Sequence, residues 1–255
     1  LTVSILPGTP TFEEVDAHIA RALEMLGPNL SEPEREKIRK IIFAEQKVTM
    51  DPGFCLEDAK QNFTPWYEAR RASIKPWFWG RFKAYLSIDK GIGREIVNVL
   101  DQTSTRLVGL LGDPQSKLPF SRKGLVMGDV QSGKTMNFTA IVNKAVDAGY
   151  RVIFVLTGSI ESLRRQTQAR LDEEFSGRES ALWIKNSKDT ELYGVSKRST
   201  APEGQDLLAY PLTSVDNDFS AGVLKSVSDV LAFLKSGGEP SAIPPVYCVV
   251  KKNAR

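Results

Sequence analysis

Apolar positions along the chain change period near its middle. Up to about residue 115 they recur at helical spacing. Thr11 and Glu14 form a capping box, in which a hydroxyl and a carboxylate satisfy free N–H groups at a helix start. Val15, Ile19, Leu23 and Leu26 follow on one face, and Gly27-Pro28 ends the run. Ser31 and Glu34 make a second box, with Pro33 in the first turn, where its missing N–H costs nothing. Ile38, Ile41 and Ile42 are the apolar face of that helix. A further helix is expected from Pro76, with Phe78, Phe82, Tyr85 and Leu86 on one side. One or two more are expected over 94–111, carrying Ile96, Val97, Leu100, Leu107, Leu110 and Leu111, before Gly112-Asp-Pro114.

From residue 124 the pattern becomes strand–helix alternation. Gly124-Leu-Val-Met127 predicts a short buried strand, and 134–148 predicts a helix closed by Gly149. The run 151–156 is too short and too β-branched for a helix and predicts a strand. A helix is expected over 160–175, with Leu163, Thr167 and Leu171 along one face. Residues 176–222 are polar and irregular, with a candidate strand at 182–184. A helix at 224–234 and a strand at 246–250 restore the alternation. Such an order implies a parallel sheet with right-handed crossovers. The expected fold class is therefore α/β: a helical region at 1–115, then a parallel sheet flanked by helices at 116–255.

Between the first expected strand and its helix lies Gly128-Asp-Val-Gln-Ser-Gly133-Lys134-Thr135, which fits the G-x-x-x-x-G-K-[ST] pattern of a P-loop. Two glycines let the backbone turn so that successive N–H groups face an anion. The helix that follows adds its positive dipole end. Gly128, Asp129, Val130, Gln131, Ser132, Gly133, Lys134, Thr135 and Met136 are the candidate nucleotide-binding residues. Lys134 is expected to reach the β- and γ-phosphates, and the Thr135 hydroxyl to ligate Mg²⁺. The expected cofactors are thus ATP and Mg²⁺. Small-molecule kinases, transport ATPases, switch GTPases and nucleic-acid translocases all use such a loop. Thr157-Gly-Ser159 followed by Leu163-Arg-Arg-Gln166 is a polar turn and a Leu-x-x-Gln helix, a pattern of helicase-like ATPases.

The segment 124–135 resembles the start of the Z-one domain of bacterial proteins classed as endonucleases. The likeness continues through Lys144-Ala-Val-Asp-Ala-Gly-Tyr150, residues 163–171, Leu212-Thr213, Asp218-Phe219 and 245–253. Upstream, Trp79-Gly-Arg-Phe82, Tyr85-Leu86 and Asp113-Pro114 are similar to that domain's usual lead-in, so the resemblance spans roughly 75–255. It implies a superfamily-two helicase-like ATPase with a RecA-like lobe, from bacterial systems that restrict foreign DNA. It also implies DNA and other subunits of a defence system as partners. Arg164, Gln166 and Arg170 become candidates for a nucleic-acid or domain-coupling face. In that family an acidic Walker B element and a second lobe follow the strand after Val249-Val-Lys-Lys-Asn253. The chain is accordingly expected to be the N-terminal piece of a longer protein, with a truncated lobe and weak hydrolysis alone.

Charge adds one regional feature. The 255 residues carry a net +3, distributed as −4 over 1–60, +6 over 61–123 and +1 over 124–255. The basic block holds Trp66, Tyr67, Trp77, Phe78, Trp79, Phe82 and Tyr85 among Arg70, Arg71, Lys75, Arg81 and Lys83. Such a mixture suits single-stranded nucleic acid, or a helix that packs its aromatic face inward. Phe78, Phe82 and Tyr85 share a face, which favours packing. Asp51 with Asp58-Ala-Lys60 is the nearest match to a nuclease metal site, and it reads more simply as a solvated helix and loop. The single His18 and the two cysteines, Cys55 and Cys248, form no metal-ligand or disulfide pattern. No apolar run reaches the ~20 residues a membrane span needs, and no signal peptide is visible. A cytoplasmic protein without membrane contact is expected. Two other readings fit the same motif: a P-loop small-molecule kinase, and a scaffolding module switched by nucleotide without turnover.

Overall fold

The computed structural model describes Arg21, Ser31, Glu34 and residues 63–127, 134–184, 193–198 and 208–252. Contacts divide the chain into two compact units, Leu1–Asp58 and Ala59–Arg255. In the first, Arg21 and Glu34 are helical, and the Ser31 N–H donates to Glu34 Oε2 at 2.9 Å. That is the carboxylate half of the expected capping box. The box at Thr11 and Glu14, His18, Asp51, Cys55, Asp58 and Lys60 lie outside the described residues.

The second unit opens with α1 (Tyr67–Arg70) and a 3₁₀ turn. Two longer helices follow, α2 (Trp77–Ile88) and α3 (Arg94–Gly109). Next come α4 (Lys134–Ala148), β1 (Val152–Thr157) and α5 (Glu161–Leu171), whose end widens into a π turn over Asp172–Ser176. Then come α6 (Ser180–Ile184), β2 (Tyr210–Pro211), α7 (Ala221–Lys235) and β3 (Val246–Lys251). The three strands are parallel in the order β1-β3-β2. In the β1–β3 register Ile153 pairs with Tyr247 and Val155 with Val249. These four side chains belong to a core with Phe78 of α2, Val142 and Val146 of α4, Leu171 of α5, and Phe175. Alternation along a strand sends Phe154 and Leu156 to the other face, where they are 46% and 71% exposed.

A second core joins α2, α3 and α4 through Trp79, Phe82, Tyr85, Leu86, Val97, Leu100 and Ala140. Six of the seven aromatic residues named in the basic block are therefore interior, Trp66, Tyr67, Phe78, Trp79, Phe82 and Tyr85, while Trp77 is half-buried. The packing reading holds for these rings, and none of the six presents a face for base stacking. Because α2 and α3 pack directly on α4, the compact unit starts at Ala59, whereas the change in sequence period falls near 115.

Two expected strands are absent. Residues 182–184 lie in α6. Its start is fixed from a distance, as the Ser180 N–H donates to Asp172 Oδ2 at 2.9 Å and its hydroxyl at 2.5 Å. Residues 124–127 form no strand; Leu125 is 81% and Met127 84% exposed. Their apolar run finds no sheet neighbour among the described strands.

Candidate nucleotide and edge site

Helix α4 passes into β1 through Gly149, whose φ of +117° suits a residue without Cβ. Val142 and Val146 of α4 reach the core beneath the sheet, while Met136 and Ala140 lie in the α2–α3 core and Asn143 Nδ2 donates to Glu174 O of the π turn at 3.3 Å. Open parallel sheets bind ligands at the carboxyl ends of their strands. The segments at that end are Thr157-Gly158-Ser159 after β1, the 213–219 loop after β2, and Lys251-Lys252 at the end of β3. Thr135 is exposed, and its carbonyl accepts from Thr139 Oγ1 at 3.0 Å. The Met136 side chain turns inward against the α2–α3 core, which leaves only its backbone to face a phosphate. Residues 128–133 and the Lys134 side chain lie outside what the structure describes.

Arg164, Gln166 and Arg170 do not form one surface. Arg164 is 1% exposed. Its guanidinium donates to Ser214 O at 2.8 Å, Val215 O at 2.9 Å and Glu161 Oε1 at 2.8 Å. It clamps the 213–219 loop and presents no free donor fork to a ligand. Gln166 is exposed. Arg170 is exposed and pairs with Glu174 at 3.4 Å. On the solvent side of the same edge, Arg165 lies 3.7 Å from Asp216 and Lys251 3.1 Å from Glu161. Hydrogen bonds from Arg164 and then Lys251 hold the Glu161 carboxyl below its ordinary value.

Gln168, which hydrophobic periodicity does not mark, is the organising residue behind this edge. Its amide oxygen accepts from Thr213 Oγ1 at 2.8 Å, and that Oγ1 accepts the Val249 N–H at 2.8 Å. Its amide nitrogen donates to Asp172 Oδ1 at 2.8 Å, which also accepts from Tyr247 Oη at 2.7 Å. Burial raises both the Asp172 carboxyl and the Tyr247 phenol above their ordinary values. The network ties α5, the π turn, the 213–219 loop and β3 into one piece. The one signal for it in the sequence is the i, i+4, i+8 spacing of Arg164, Gln168 and Asp172.

Helix α4 is anchored on its α3 side by Lys144. Its ammonium donates to Asp101 O at 2.6 Å, and to Asp101 Oδ1 and Thr105 Oγ1 at 2.5 Å each. It also sits 4.3 Å from the Trp79 ring centroid. Burial lowers the Lys144 ammonium below its ordinary value. Burial pushes the Asp101 carboxyl the other way, but the hydrogen bonds and charges of Lys144 and Lys83 together outweigh it and leave that group low. Among the described residues no group of three or more His, Cys, Asp or Glu side chains is placed to hold a metal, and no helix is long and apolar enough to cross a membrane. No protein-family model, curated protein or solved structure matches the chain.

Proposed function

We propose that the chain carries the nucleotide site of a helicase-like ATPase, with residues 128–136 holding the phosphates of ATP and Thr135 ligating Mg²⁺. One observation carries this reading: the G-x-x-x-x-G-K-T run leads directly into the first turn of helix α4, and that helix leads into β1 of a parallel sheet. Anion binding there uses free N–H groups and the helix dipole together. Lys134 supplies the mobile positive charge and Thr135 the oxygen ligand. DNA is the proposed partner, on the strength of the Z-one resemblance and of Arg165 and Lys252 near the carboxyl ends of the strands. A bacterial defence role rests on that resemblance alone. Calorimetry with ATP–Mg²⁺ tests the site. The natural chain binds, and Lys134→Ala weakens binding by at least about tenfold, or 1.4 kcal/mol. Equal affinity in the two proteins would sink the proposal.

A second reading is favoured by one specific feature. Leu125, Val126 and Met127 are exposed, so the segment leading into the loop is not pinned to the sheet among the described residues. A lead-in segment so exposed suits a nucleotide-dependent switch for a partner, without turnover. In that case ATP binds, but phosphate release stays at background with or without DNA.

A further inference from the structure

Arg151 lies between α4 and β1, and among the described residues no group answers its charge. Its carbonyl accepts the Val246 N–H at 2.8 Å, which fixes its backbone at the amino end of the sheet. Alternation along the chain places its side chain on the face of Ile153 and Val155, at the margin of the core. The guanidinium is half-buried there, and its Nε is buried without a hydrogen-bond partner. Burial holds the group below its ordinary value, and no carboxylate acts against that. A guanidinium keeps its charge inside a protein. Such a cation costs stability unless an acceptor meets it.

The internal acceptors nearby are taken. The last carbonyls of α4 are closed by the chain itself, as the Gly149 N–H donates to Val146 O and the Tyr150 N–H to Ala145 O, each at 3.0 Å. Arg70 Nη2 donates to Ala148 O at 3.3 Å, and its Nη1 pairs with Asp113. Arg151 instead lines a groove of about 370 Å³ together with Ser73, Lys75 and Gln115. Lys75 is exposed and has no ion-pair partner among the described residues. Asp147 is the one carboxylate in the lining, and its two oxygens already accept the Phe78 and Trp79 N–H groups at 2.8 and 2.9 Å.

We propose that this groove binds a phosphate group, with Arg151 as its bidentate ligand and Lys75 as a second positive charge. The Nε edge of a guanidinium presents two parallel N–H donors that match two phosphate oxygens. The surrounding block 61–123 carries a net +6, which draws in phosphate-rich anions ahead of a single carboxylate. The groove borders the C-terminal end of α4, about 20 Å along that helix from Lys134. It is therefore separate from the proposed ATP site and does not rest on it.

NMR of the arginine Nε–H groups tests the site, with inorganic phosphate, oligothymidylate and glutamate as probes at one ionic strength. The Arg151 signal shifts saturably with both phosphate probes and stays flat with glutamate. Oligothymidylate acting at the lower concentration identifies a nucleic-acid backbone as the source, and the reverse order identifies a small phosphorylated molecule. Lys75→Gln weakens the response by about two- to fivefold. Lys134→Ala leaves it unchanged, so failure of the ATP site does not remove this one. Melting is then followed in the Lys134→Ala chain, where a hundredfold excess of phosphate over its Kd raises the midpoint by about 5 °C or more. Adding Arg151→Met abolishes that gain and, without phosphate, leaves the midpoint no lower. An Arg151 signal indifferent to both phosphate probes, an equal response to glutamate, or a large drop in melting on Arg151→Met overturns the proposal.

Discussion

Arg164 shows what a single buried cation does in this molecule. Its donors are consumed by two loop carbonyls and Glu161, so its loss orphans acceptors rather than removing a ligand contact. Arg164→Met is expected to cost about 3 kcal/mol in urea unfolding, whereas the exposed Gln166→Ala stays within about 0.5 kcal/mol. The contrast also explains why the sequence misplaced this face. Apolar periodicity picked Leu163, Thr167 and Leu171, yet Leu163 is exposed and the inward face runs Arg164, Gln168, Leu171. A helix that buries satisfied polar groups is invisible to a rule that counts only apolar ones. The G-x-x-x-x-G-K-T run is a signal of the opposite kind, one that local spacing alone defines.

Among the elements, those with a clear local apolar period were readable, such as α2, α4, α7 and the strands β1 and β3. Those set by distant partners were not. β2 has two residues, one of them a proline, and exists because it pairs with β3. α6 begins where Asp172 caps Ser180. The π turn after α5 is a further case, because the chain packs against it from afar. Gly194 has φ +49°, and a Cβ there would stand 2.0 Å from Glu173 O, a backbone atom that cannot yield cheaply. Gly194→Ala should cost about 2–4 kcal/mol through overpacking and left-handed strain. Calorimetry should show this as a melting point lower by about 5–15 °C. An unchanged melting temperature would mean that the 194–198 turn is not docked on the π turn in solution.

At the scale of the whole unit, the division of labour differs from the division of sequence pattern. The helices at 77–109 carry a helical period, yet they form the outer layer of the α/β core and fasten α4 from behind. The winding of the sheet settles where its other helix belongs. α5 carries the chain outward from β1 past β3 to β2, and α7 brings it back inward to β3. Two right-handed crossovers of opposite direction put their helices on opposite faces. Phe219, just before α7, meets Phe154 of β1 at 6.5 Å between ring centroids, on the face that α4 and α5 leave open. Val223 is the one residue buried on α7, so that face is only lightly covered.

The position of β1 at the rim of the described sheet has a colloidal consequence. Its outer side offers unpaired backbone groups, and Phe154 and Leu156 place apolar surface beside them, the combination that lets one chain template another. Light scattering on the purified chain should therefore show association that grows with concentration and time. Leu156→Lys should suppress it, as a gatekeeper charge does on a natural edge strand.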